Sequence, residues 1–167
     1  MNKKKTFFLA VAIPVLILLA MTIKPEATVL FGQEILLETK AVDPTDLFRG
    51  DYVSVNFAIS EIPKSKVTIS LDKISKKTLY VSLKPEGKFY GVDRVSETRP
   101  KQGVYLMGKI QNPYAPGDTV QMDYSLDKYF VKQGSGGELQ KFSNHGGLIG
   151  TVKVLGGYGV LMGLSDS

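Results

Sequence analysis

From residue 6 to residue 23 the chain carries no charged side chain, directly behind Lys3, Lys4 and Lys5. A helix over that run rises roughly 27 Å, close to a hydrocarbon core of about 30 Å. Such a segment either crosses a bilayer or is removed as a secretion signal, and the rest of the chain must fold beyond it. Pro14 in mid-run is tolerated in a lipid-embedded helix better than in an isolated aqueous one. Lysines ahead of the run and mixed charge after it predict a cytoplasmic N-terminus. A cleaved signal shares the Lys-rich start and apolar middle, but Leu18-Leu19-Ala20-Met21-Thr22 matches the small-residue cleavage pattern poorly. The expected layout is a cytoplasmic tail at 1–5, a transmembrane signal-anchor at 6–23, a stalk at 24–33 and an extracytoplasmic domain at 34–167.

Charge and cysteine count narrow the function. Of 21 basic residues three belong to the N-terminal cluster, so the rest of the chain is close to balanced against 16 acidic residues. The high pI comes mostly from the anchor, and no basic patch of the kind nucleic acid requires is visible. Lys73, Lys76 and Lys77 form a local cluster that reads as a solvated turn. With no cysteine there is neither a lipoprotein anchor nor a disulfide, so stability must come from one ordinary core.

Beyond the anchor, short alternating runs dominate. Residues 34–40 form a first strand. From Tyr52 to Ile59 the alternation is clean, with Val53, Val55, Phe57 and Ile59 on one face, which predicts a half-buried strand. Val67, Ile69 and Leu71 mark another; Leu79, Val81 and Leu83 a further one, joined through Pro85-Glu86-Gly87 to a strand over 89–95. Val104, Leu106 and Ile110 come next, with Gly108 at an inward position that suggests a bulge or a close backbone approach. Pro116-Gly117-Asp118 turns the chain into Val120, Met122 and Tyr124. Residues 148–155, Gly156-Gly157 and 158–164 read as a closing hairpin. A short helix is expected over 138–142. Many short strands without a long amphipathic helix predict an all-β antiparallel sandwich or barrel behind one transmembrane helix.

The segment Val42-Asp43-Pro44-Thr45-Asp46-Leu47-Phe48-Arg49-Gly50-Asp51-Tyr52 joins a helix-start signal to a glycine turn and the alternating strand. Asp43 suits an N-cap and Pro44 a first helical position. Gly50 permits a positive φ at the corner, Asp51 can accept backbone N–H bonds across it, and Arg49 lies within reach of these carboxylates. Gly50-Asp51-Tyr52-x-x-Val55-x-Phe57, the motif at 50–57, resembles the GDYXXLXY family of bacterial membrane-anchored proteins. The lead-in from Val42 and a later block, Lys128-Tyr129-Phe130-Val131-Lys132-Gln133-Gly134-Ser135-Gly136-Gly137-Glu138-Leu139, are similar to that family's recurrent pieces. Val55 stands where Leu is usual and Phe57 where Tyr is usual. The resemblance implies an anchor and a β-rich exported domain but no established activity. The resemblance also implies a multi-pass membrane protein as the expected partner, besides the bilayer at 6–23. Asp43, Pro44, Arg49, Gly50, Asp51, Tyr52, Val55 and Phe57 are the candidate site, structural or interacting in role.

Catalytic patterns are weak. Arg49-Gly50-Asp51-Tyr52-Val53-Ser54-Val55 also resembles the Arg-Gly-Asp box of type I signal peptidases, and Gly108-Lys109-Ile110 with Pro116-Gly117-Asp118 resembles their Lys strand and following turn. Those enzymes need a Ser nucleophile upstream of the box, activated by a neutral Lys. The first serine here is Ser54, inside the strand after it, so Lys109 has no nucleophile to activate, and nothing around Thr28 fits the usual pattern. His145 stands alone, without cysteine, and makes neither a zinc pattern nor a triad. Gly156-Gly157-x-Gly159 sits between strands, which favours a hairpin turn over a phosphate loop. Tyr80, Tyr90, Tyr105, Tyr114, Tyr124, Tyr129 and Tyr158 would form either a recognition face or cross-strand packing. No cofactor, metal or nucleic acid is expected. The reading is a non-enzymatic interaction or accessory module at the membrane surface, with an inactive signal-peptidase-like protein as the alternative.

Overall fold

A computed structural model describes residues 3–40, 52–69, 77–114, 116–126, 128–130 and 148–166. The apolar run is helical as part of α1, which spans Lys3–Phe31 with Pro14 and Pro25 inside it. From Ala10 to Lys24 every residue is exposed, including Leu16 and Leu18 at 63% and 65%. A helix that is apolar on all faces and uncovered by protein has the surface that lipid matches. The stretch Ala10–Phe31 is long and apolar enough to span a bilayer.

The segment expected as a stalk is the end of this helix, and the β domain holds it. Thr28 is fully buried, its hydroxyl donating to the Lys24 carbonyl at 2.9 Å. Lys153 Nζ donates to the Val29 carbonyl at 2.8 Å, satisfying one of the orphan acceptors at the helix end and complementing its dipole. Lys24 lies 4.5 Å from the centroid of the Tyr158 ring. Gly32 then turns the chain, and a Cβ there would stand 2.3 Å from the Thr28 carbonyl oxygen.

Eleven strands come after it among the described residues: β1 (Gln33–Lys40), β2 (Tyr52–Ser54), β3 (Asn56–Phe57), β4 (Glu61–Pro63), β5 (Leu79–Glu86), β6 (Phe89–Ser96), β7 (Tyr105–Ile110), β8 (Thr119–Asp123), β9 (Lys128–Phe130), β10 (Leu148–Leu155) and β11 (Tyr158–Asp166). They form a four-stranded sheet in the order β11-β10-β1-β3, a five-stranded sheet in the order β4-β8-β7-β5-β6, and the ribbon β2-β9. The sheets are antiparallel, curled and nearly closed, so the all-β sandwich-or-barrel expectation holds. The predicted hairpins are present. Gly156 and Gly157 have φ of 58° and 83°, as a tight turn between β10 and β11 with two left-handed residues requires.

Alternation supplies the core. Ile35 and Leu37 of β1, Val152 and Val154 of β10, Leu79 and Val81 of β5, Leu106 of β7 and Val120 of β8 are all buried. Each fully buried aliphatic side chain contributes roughly 1.5–3 kcal/mol relative to exposure. Val92 and Val95 of β6 also point inward although they are three residues apart. A register shift explains this: Ser82 pairs with Arg94 but Leu83 with Val92, leaving Asp93 as an extra residue. Gly108 makes the close approach expected of it, since a Cβ would stand 2.8 Å from the Asp123 carbonyl oxygen.

Two strand expectations differ from what is observed. Residues 52–59 do not form one strand: Val55 separates β2 from β3, and Ala58–Ser60 is a 3-10 turn. The inward alternation survives, with Val55, Phe57 and Ile59 all at 3% exposure or less. The strand breaks because its two halves pair with different partners, β2 with β9 and β3 with the end of β1. Around Val67 the chain makes only a 3-10 turn at Lys64–Lys66 and a single parallel bridge to Val95. Leu71 and the short helix expected at 138–142 lie outside the described residues.

Candidate functional site

The motif enters the described structure at Tyr52. Asp43, Pro44, Arg49, Gly50 and Asp51 lie outside it, as does His145. Tyr52 opens β2 and pairs with Phe130, Val53 pairs with Tyr129, and Ser54 with Lys128. The start of the motif strand and the start of the second recurrent block, far apart in sequence, are therefore adjacent antiparallel strands. Beyond them the chain dives inward, and Val55 and Phe57 become core residues at 3% and 2% exposure. Phe57 packs on Gly150, where a Cβ would stand 2.5 Å from ring atom Cε1. The two positions that depart from the family pattern thus fill the core, where apolar bulk is what counts.

The residues just after the motif tie the two larger sheets together. Lys40 at the end of β1 forms an ion pair with Glu61 of β4, and Thr119 of β8 donates to the other Glu61 oxygen at 3.3 Å. The Lys40 hydrogen bond and charge hold the Glu61 carboxyl below the usual carboxylate range. Tyr124 donates to the Ile59 carbonyl at 2.9 Å, and burial pushes its phenol well above the ordinary value, so it stays a neutral donor. Both contacts brace the turn that carries the chain from one sheet to the other.

The other candidates are scattered. Lys109 is exposed on β7 and pairs through its backbone with Asp123. Thr28, fully buried at the helix end, has its hydroxyl committed to the helix backbone. Lys77 is bound to Glu97 at 3.0 Å. Tyr80 and Tyr105 meet edge to face with centroids 5.9 Å apart, Tyr90 accepts from Gln33 at 3.3 Å, and Tyr158 lies beneath Lys24. Tyr114 is 66% exposed in a turn. Among the described residues the tyrosines are spread over several elements, and cross-strand packing accounts for the Tyr80–Tyr105 pair. No group of three or more metal-ligating side chains occurs among the described residues.

A larger concavity lies where no sequence motif points. Thr68, Ser82, Arg94, Thr98, Arg99 and Lys101 are among the residues lining a groove of about 730 Å³ over the β5–β6 bulge. Its only sequence signal is the pair of cations in Arg99-Pro100-Lys101, which is too common in turns to single out.

No curated protein and no solved structure matches the chain. The GDYXXLXY protein family matches residues 14–164, which takes in the end of the apolar run, the motif, the β2–β9 pairing and the closing hairpin. The chain belongs to the GDYXXLXY protein family.

Proposed function

We propose that this is a single-pass membrane protein with a cytoplasmic N-terminus, whose extracytoplasmic β domain is a non-enzymatic interaction or accessory module for a multi-pass membrane protein. The observation that carries the reading is the β2–β9 ribbon. It joins the two sequence blocks that mark the family, and among the described residues it stands apart from the two larger sheets. A two-stranded ribbon is only marginally stable in water by itself, and its backbone edges are of the kind a partner segment can pair with. The helix α1, docked on β10 and β11, holds the domain close to the membrane, where such a partner would be met.

Site-specific photo-crosslinkers at Tyr52 and Phe130, a cross-strand pair on one face of the ribbon, in membranes, test this. One multi-pass membrane protein, identified by mass spectrometry, is expected from both ribbon positions and not from the exposed Lys84 on β5. Capture of no membrane protein at any position overturns the reading.

A further inference from the structure

The groove over the β5–β6 bulge has the make-up of an anion site. Arg94, Arg99 and Lys101 line it against one carboxylate, Asp93. The bulge puts both Asp93 and Arg94 on the exposed face while Val92 and Val95 stay in the core, which is how bulges re-aim side chains. Arg94 and Asp93 are only loosely engaged, at 3.9 Å. Arg99 is held over the Tyr105 ring, 5.6 Å from its centroid, an arrangement that orients a guanidinium while leaving its N–H edge free. Of the hydroxyls present, Thr68 and Ser96 are committed to backbone carbonyls; those of Ser82 and Thr98 have no partner among the described residues.

The groove shares two lining residues with a second feature. Gly103 and Val104 also line a cleft of about 70 Å³ with Gln33, Tyr105, Val154, Gly156 and Gly157. Tyr105 is 7% exposed, and its hydroxyl is buried without a hydrogen-bond partner among the described residues. A buried phenol left unpaired is costly, and in native proteins such a group generally answers to a ligand or an ordered solvent molecule. Gln33 stands just past the last helical residue, Phe31. The cleft therefore opens at the end of the domain where the helix leaves it.

We infer that this groove binds a phosphate ester of net negative charge, which a zwitterionic phosphatidylcholine headgroup does not supply. Two guanidiniums and an ammonium suit the several acceptor oxygens of a phosphate. The volume has room for a polyol attached to it, within reach of Ser82 and Thr98. If α1 is embedded in a bilayer as proposed above, the glycerophosphate headgroup of an anionic lipid is the nearest source. A soluble sugar or glycerol phosphate offers the same chemistry.

Hydrogen exchange of the full chain in nanodiscs decides the matter. Three samples are compared: phosphatidylcholine discs, the same discs doped with phosphatidylglycerol, and phosphatidylcholine discs with added glycerol phosphate. At ligand near ten times its dissociation constant, exchange of the 97–104 amides is expected to slow by about tenfold. Slowing with phosphatidylglycerol identifies the lipid as source, and slowing with glycerol phosphate alone identifies a soluble ester. The slowing should be lost in the Arg99→Gln, Lys101→Gln double variant, checked for an unchanged melting temperature. It should persist in Lys88→Gln, which removes a cation from the β5–β6 turn outside the groove. Equal exchange in all three samples overturns the inference, as does equal loss in Lys88→Gln. A chain that fails to enter discs counts against the anchor alone, and glycerol phosphate in detergent then tests the groove separately.

Discussion

Beneath the ring of Phe57 there is room for Gly150 and nothing larger, since a methyl carbon at that position would stand 2.5 Å from Cε1 and 3.1 Å from Cζ. Neither atom belongs to a flexible side-chain end, so Gly150→Ala must displace a core aromatic. Overpacking of this kind costs about 1–3 kcal/mol, and each kcal/mol lowers the melting temperature of a domain this size by roughly 2–4 °C. Gly91→Ala is the contrasting case, since the three atoms nearest its new methyl all belong to the carboxylate end of the exposed Glu86. Thermal scans should show a clear loss for Gly150→Ala and almost none for Gly91→Ala; equal losses would sink the packing argument. Alternation in the sequence places Phe57 inward. It does not say that the surface opposite would be a glycine of β10, because that contact joins strands far apart along the chain.

Between β2 and β3 the chain changes partners at Val55, and local pattern has no means of showing this. Period-two alternation reports which face is buried, while the neighbouring strand is chosen by distant residues: Phe130, Tyr129 and Lys128 for β2, Thr39 and Lys40 for β3. The hairpins β5–β6 and β10–β11 are legible for the opposite reason, since their turn residues lie between the strands they join. Glu61 sits where this exchange is stapled, bonded to Lys40 of β1 and Thr119 of β8. Its carboxyl titrates lower when folded, so the stabilisation is present above the ordinary carboxylate value and is lost as pH falls through the folded one. The side chains are exposed, at 48% for Lys40 and 36% for Glu61, which limits the pair to about 0.2–1 kcal/mol. Lys40→Gln should therefore melt slightly below wild type near neutral pH, with the gap closing below about pH 4. A gap that persists in acid would assign the effect to packing instead of charge.

For the molecule as a whole, the helix and the domain are joined through Lys153, which donates to the Val29 carbonyl, and Tyr158, which faces Lys24. An arginine near the centre of a spanning helix costs about 2.5–3.5 kcal/mol on insertion scales. Ile17→Arg should accordingly shift much of the full chain from carbonate-resistant membranes into the soluble or aggregated fraction. Retention equal to wild type would mean that α1 is not the anchor. The charge-free run, the β class, the two hairpins and the family motif were all determined by the sequence itself, because each depends on residues that are neighbours along the chain. Tertiary structure alone decided that the segment after the apolar run is docked helix, that the motif strand lies against the second family block, and that Arg94, Arg99 and Lys101 share one groove beside Tyr105. Those outcomes depend on sheet pairing and on a bulge that re-phases β6, and long-range pairing leaves no local trace for periodicity to detect.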